Sequence, residues 1–287
     1  HLTMSIRKMV TRELEQINFK NIILTYNKDL IIINTQKIGS TFIKEIEKQN
    51  DGFTYVVVDK NQSFIKEVNP KGSEFFSNLA KINRIDNKDI FCFYNMGGNS
   101  LKESFVDNTT ELEIRKLLTQ DTGRRILILY RNPIIKTLTG IASDAVYDDF
   151  KNYNLLINSP DKEDLFYKLA MNQFEANTIH TGHTRLWMNT VNEFMLHFQI
   201  LKVPNLHLYD MDDNTISLTA TLRTFIPNLK IQKPKNMHSN KRVYSNIRKG
   251  TELYDKIEEY SEEDTRLYHT IKKSKLNIVT DDIKILF

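Results

Sequence analysis

The chain has one cysteine, Cys92, in 287 residues, which excludes an intrachain disulfide and any cysteine-based metal site. Cys92 lies in the apolar run Ile90-Phe91-Cys92-Phe93-Tyr94, where a thiol reads as buried and inert rather than nucleophilic. No stretch is long and apolar enough to span a bilayer, and no basic segment followed by an apolar one marks the amino terminus, so a cytoplasmic, reducing setting is expected. Charge of one sign is missing as well. The 40 Lys+Arg stand against 36 Asp+Glu, a net charge of +4, too even a balance for a dedicated nucleic-acid binder. Neither a repeat of fixed period nor a low-complexity linker divides the chain, so 1–287 is read as a single domain, with His1-Leu2-Thr3 ahead of Met4 set aside.

What is present is an alternation of two periodicities. Short apolar or β-branched runs bounded by polar residues predict strands at Leu30 to Asn34, Thr54 to Asp59, Ile90 to Asn95, Arg125 to Arg131 and Asn205 to Asp210. Between them the spacing is helical. Phe42, Ile43 and Ile46 follow the first strand, and Leu112, Ile114, Leu117 and Leu118 precede the fourth. Ser159-Pro160-Asp161 reads as the start of a helix that carries Leu165, Phe166, Leu169 and Phe174. Further helices are predicted over 185–201 and 262–273. Apolar strands alternating with helices predict an α/β fold with a central, mainly parallel sheet flanked by helices.

The loop Gln36-Lys37-Ile38-Gly39-Ser40-Thr41 joins the first strand to a helix. A helix start there directs free N–H groups and a partial positive charge at the loop. Gly39 allows close backbone approach, Ser40 and Thr41 add hydroxyls, and Lys37 adds a cation. The loop is not a Walker A sequence, because Lys37 precedes Gly39 instead of following it. After the fourth strand stands Arg131-Asn132-Pro133, with Pro133 suited to the first position of a helix and Thr139 about two turns along it. Both elements fall where ligands bind in open α/β sheets, at the carboxyl ends of strands.

These two motifs, in this order and each after its strand, resemble those of the sulfotransferase family, nearest to its carbohydrate and glycosaminoglycan members. The first matches that family's 5′-phosphosulfate loop through Lys37, Gly39, Ser40 and Thr41. The second matches its 3′-phosphate element through Arg131, Asn132 and Pro133, with Thr139 in place of the usual Ser and Lys136 where Arg is frequent. Looser likenesses lie at Lys235-Asn236-Met237-His238-Ser239, at 264–268, and at Arg248-Lys249-Gly250, similar to a basic tripeptide used against the 3′-phosphate.

The resemblance implies a P-loop-like sulfotransferase fold and transfer of a sulfonate group from 3′-phosphoadenosine 5′-phosphosulfate to an acceptor hydroxyl, leaving adenosine 3′,5′-bisphosphate, with no metal. It implies that Lys37 neutralises the leaving 5′-phosphate and that Ile38, Gly39, Ser40, Thr41 and Phe42 line it. Arg131 and Thr139, with Arg248 and Lys249, would hold the 3′-phosphate. A general base is also required. The family's histidine after the third strand is replaced here by Asn95-Met96-Gly97-Gly98, so Asp59 after the second strand is the first candidate. His183, in His180-Thr181-Gly182-His183-Thr184, is the next, against a reading of this stretch as a helix entry capped by Thr184; Glu67 and Glu103 follow. The acceptor, expected to be a carbohydrate, would meet 96–123 and 148–183. Two other readings stay open: a P-loop-like kinase or nucleotide hydrolase, and a non-catalytic nucleotide-binding protein of the same fold.

Overall fold

The computed structural model describes residues 20–58, 64–68, 102–147, 159–179, 183–213, 215–232 and 243–274. It opens on two strands buried along their whole length, β1 (Ile22–Tyr26) and β2 (Leu30–Asn34). Asn27 turns the chain between them, its Oδ1 accepting from the N–H groups of Asp29 at 2.9 Å and Leu30 at 2.8 Å. There follow α1 (Ser40–Gln49), β3 (Thr54–Val58), β4 (Phe64–Val68), β5 (Lys102–Phe105), α2 (Asn108–Thr119), β6 (Arg125–Tyr130) and α3 (Pro133–Tyr147). The remainder comprises α4 (Lys162–Glu175), α5 (Met188–Ile200), β7 (Leu206–Asp210), α6 (Leu218–Phe225), α7 (Glu252–Tyr260) and α8 (Glu262–Lys273).

The strands form one sheet in the order β5-β4-β3-β1-β2-β6-β7. β2, β6 and β7 are mutually parallel, while β1 pairs antiparallel with both β2 and β3, and β3·β4 and β4·β5 are antiparallel too. The protein is therefore α/β with a mixed sheet flanked by helices, and the expected mainly parallel order holds on one side of β2 only. The cause is local. The turn at Asn27 is too short for a crossover, so β1 must fold back on β2. β1, β4, β5, α6 and α7 were not anticipated, and the strand expected at Ile90 to Asn95 lies outside the described residues.

One core forms against the sheet from the apolar faces of α1, α2, α5, α6 and α8; a second gathers α3, α4 and α7 around Phe166, Ile141 and Leu253. In α1 the buried residues are Phe42, Ile43 and Ile46, and burying each aliphatic or aromatic side chain fully contributes about 1.5–3 kcal/mol. On α4 the buried residues are Phe166 and Ala170, whereas Leu165 is 41% exposed. The expected face was thus rotated, because α4 packs through its aromatic and small residues rather than its leucines. That helix begins at Lys162 after Asp161, two residues beyond the expected Pro160.

Candidate functional site

The loop between β2 and α1 is fixed from several sides. Asn34, fully buried, donates through Nδ2 to the carbonyl of Ile38 at 3.0 Å, and Thr35 Oγ1 donates to the carbonyl of Asn21 at 2.9 Å. Ile38 buries its side chain completely. On either side of it Lys37 and Gly39 take left-handed backbone conformations, with φ of 61° and 71°. Gly39 does so without penalty, while the lysine costs roughly 1 kcal/mol. No side chain among the described residues caps α1, and its first backbone bond runs from Ile43 N–H to the Gly39 carbonyl at 3.0 Å. The N–H groups of Ser40, Thr41 and Phe42 precede that bond and so lack an intrahelical acceptor. Phe42 is in the core, and offers an anion its backbone only.

α3 starts differently. Asn132 Oδ1 accepts from Ile134 N–H at 2.9 Å, so this helix start carries its own cap. Of the two helix starts on this edge, α1 has the donors to spare. Arg131 bridges them. Its Nη1 donates to the Lys37 carbonyl at 2.8 Å, across 94 residues of sequence. Its Nη2 donates to Asp212 Oδ1 at 3.0 Å, with Nε at 3.4 Å from Oδ2. Asp212 belongs to the turn after β7, where Met211 N–H bonds the Tyr130 carbonyl at 2.8 Å. A Cβ added to Gly39 would stand 2.9 Å from Met211 Cε. Three strand ends thus converge on one spot.

Lys136 lies one turn into α3 and is only 3% exposed. Its ammonium donates to the carbonyls of His183, at 3.3 Å, and Arg185. Burial pushes its pKa down to about 7; the Asp264 carboxylate opposes that shift, and the positive charges of Arg185, Arg131 and Lys37 add to it. The charges of Arg185, Arg131 and Lys37 are therefore near enough to Lys136 to disfavour its protonation. Asp264 sits on α8 and accepts through Oδ2 from Trp187 N–H at 2.7 Å and Met188 N–H at 2.9 Å. Burial raises its pKa, against those backbone bonds and Lys136. The start of α5 is therefore capped by Asp264 from 76 residues away. Thr184, expected to cap it, instead bonds the Ile179 carbonyl.

The structure brings Lys37, Ile38, Gly39, Ser40, Thr41, Phe42 and Arg131 together. Thr139, on the same helix as Lys136, has its hydroxyl 3.0 Å from that of Tyr244, which ties the segment bearing Arg248 and Lys249 to α3. Those two basic residues are exposed, and the Arg248 carbonyl takes the Thr251 N–H at 3.0 Å. His183 is buried and contributes its carbonyl to Lys136. Asp59 lies outside the described residues; β3, which precedes it, ends on the same edge as β2, two strands or about 10 Å away. Glu67 and Glu103 are paired in register on the outer strands β4 and β5. Sequence reasoning missed Asp212 and Met211, and gave Asp264 no role beyond its place in the likeness at 264–268. A signal existed for the first: Asp210-Met211-Asp212-Asp213 directly follows a strand, at the edge where ligands bind.

No family model, no curated protein and no solved structure matches this chain. Among the described residues no helix is long and apolar enough to cross a membrane.

Proposed function

We propose that the protein is a sulfotransferase that binds 3′-phosphoadenosine 5′-phosphosulfate at the start of α1 and transfers its sulfonate group to an acceptor hydroxyl of a carbohydrate. The observation that carries this reading is the uncapped helix start behind Gly39, with Lys37 in the loop and Arg131 reaching it from β6. Such a start binds a phosphate through N–H groups already directed at it. A second feature fits a polar ligand. Gln36 is buried in the same loop, and neither amide atom of its side chain has a hydrogen-bond partner among the described residues. A buried amide left so costs about 1–3 kcal/mol, which a polar ligand would offset.

The cofactor supplies an activated sulfonate on a phosphate oxygen. The chain holds that phosphate with the N–H groups of Gly39, Ser40, Thr41 and Phe42 and offsets its growing charge with Lys37. Placing fixed donors where charge develops is the main way such transfers are accelerated. Arg131 and Thr139 would hold the 3′-phosphate, with Arg248 and Lys249 beside Tyr244. The acceptor proton passes to a carboxylate or imidazole, for which Asp59 and His183 remain the proposed groups.

A kinase or nucleotide hydrolase would use the same helix start, but it needs a carboxylate free for Mg²⁺. Asp212 is engaged by Arg131, and Asp210 takes the Tyr268 hydroxyl at 2.7 Å. The two readings separate in a thermal-shift measurement. Adenosine 3′,5′-bisphosphate at a hundred times its Kd should stabilise the fold by about 2.7 kcal/mol, while ATP with Mg²⁺ should do much less. Stabilisation by ATP with Mg²⁺ and none by the bisphosphate would overturn the sulfotransferase reading. Tight bisphosphate binding without transfer to any acceptor would instead indicate a binding protein.

A further inference from the structure

Asp212 follows β7, two strands from the phosphate loop, yet it is joined to that loop through a single side chain. Its carboxylate accepts three bonds: from Arg131 Nη2 at 3.0 Å, from Arg131 Nε at 3.4 Å, and from Asn132 N–H at 2.8 Å. The turn that presents it is itself braced, since Asp210 Oδ1 accepts from Asp212 N–H at 2.9 Å. The pair is not a loose surface contact. The side chains of Arg131 and Asp212 are 16% and 14% exposed, and a forked guanidinium–carboxylate pair fixes direction as well as distance. The other arm of Arg131 ends on the carbonyl of Lys37, a residue whose left-handed backbone is unfavourable by itself.

We propose that Asp212 is a positioning residue for the phosphate loop: by fixing the plane of Arg131 it holds the Lys37 peptide in its left-handed turn, and so keeps the N–H groups of residues 39–42 directed at the anion. Arg131 keeps capacity to spare, because a guanidinium carries five N–H donors and three are engaged here. One group therefore braces the loop and keeps two N–H donors for an anion. Lysine cannot replace it, having a single point of charge and no planar fork. The part of this assignment that concerns nucleotide binding rests on the function proposed above; the bracing of the loop does not.

The test is amide hydrogen exchange in the ligand-free protein, followed by calorimetric titration with adenosine 3′,5′-bisphosphate. Asp212→Asn keeps an oxygen for the Asn132 N–H but loses the charge that holds the fork. Exchange of the bonded loop amides of Ile38 and Ile43 should accelerate about tenfold or more, the effect of losing roughly one charge-assisted bond, while exchange in α5 stays at the wild-type rate. Binding should weaken about tenfold by the same arithmetic. Unchanged loop exchange overturns the proposal, and so does tighter binding, which would make Asp212 a competitor for Arg131. Should Asp212→Asn accelerate exchange everywhere, Arg131→Lys decides, since it breaks the same relay without removing the carboxylate; a global rise in both variants overturns a local bracing role. Failure of wild-type protein to bind the bisphosphate would sink the nucleotide reading alone, leaving the relay to be judged by exchange.

Discussion

β6 and β7 lie on one side of β2 and run parallel to it, whereas β1, β3, β4 and β5 lie on the other in antiparallel succession. Both halves are apolar where they are described as buried, and both close the same core. Their chemistry differs. Parallel strands leave the sheet at one edge, so Lys37, Arg131 and Asp212, 94 and 81 residues apart in the chain, arrive within hydrogen-bond distance. Antiparallel neighbours leave at alternate edges, so their ends cannot accumulate in one place. The antiparallel half extends the sheet; the parallel half gathers charge. Of the expected bases, Glu67 and Glu103 sit on the antiparallel half, on strands β4 and β5, away from that cluster.

The largest effect that can break this comparison is on turnover. Lys37→Ala should lower the rate of sulfonate transfer by about a hundredfold to a thousandfold, the usual worth of one charge-stabilising donor. Its melting temperature should stay near wild type, because the side chain is only half-buried and alanine leaves the backbone bonds of the loop in place. Val57, fully buried in β3, is the opposite case. Val57→Ala should cost roughly 1–3 kcal/mol through lost burial and a small cavity and leave bisphosphate affinity unaltered. Steady-state kinetics and denaturant melts on both variants read the two halves separately. If Lys37→Ala turned over normally, the parallel edge would lose its claim to the chemistry.

The next effect concerns the helix that carries Lys136. A Cβ at Gly140 would lie 2.5 Å from the backbone oxygen of His183 and 2.8 Å from its carbonyl carbon. Backbone cannot yield as a flexible side chain does. Gly140→Ala should therefore destabilise by about 3 kcal/mol, at the upper end for overpacking, measured by urea unfolding. The Tyr260 hydroxyl bonds the neighbouring Thr184 carbonyl at 3.1 Å, so loosening here should also disturb α7. A neutral outcome would mean that 183–187 is not clamped on α3 at all.

Much of the parallel half was legible in the sequence. β2 was placed to the residue, β6 and β7 to within one, and α8 likewise, because strong periodicity and sharp polar boundaries mark each. The loop residues Lys37 to Thr41 and Arg131 were read as opposite ends of one nucleotide site, and in the structure Arg131 bonds the Lys37 carbonyl directly. What stayed hidden depends on partners distant in sequence. No local pattern announces that Arg131 will be held by Asp212, that Asp264 will cap α5, or that the Thr139 hydroxyl will meet Tyr244. β1 was missed for another reason: Ile22-Ile23-Leu24-Thr25-Tyr26 is an apolar, β-branched run bounded by polar residues like the others, and its signal was local and overlooked.

The smallest effect is a slope against pH, and its sign follows from Lys136. In the unfolded chain the lysine has its ordinary pKa near 10.4; in the folded protein burial holds it at about 7, with Asp264 opposing and Arg185, Arg131 and Lys37 reinforcing. Between these values the unfolded chain binds more protons than the folded one, so stability increases with pH across that window, by at most about 1.4 kcal/mol per unit for one such group. Lys44 on α1, half-buried with its ammonium 5.3 Å from the Tyr55 ring centre, is also lowered to about 7, chiefly by desolvation, and acts in the same direction. Above pH 10 the trend reverses, because Tyr26 and Tyr260 are raised to about 12 and stay protonated in the fold after they ionise in the unfolded chain. Lys136→Met should therefore remove about half of the rise between pH 7 and 10, with Lys44→Met removing the other half. The two lysines belong to helices that start at the same edge, so equal losses would place equal burial on both sides of β2, and an unchanged slope in Lys136→Met would show that water reaches the cluster around the phosphate loop.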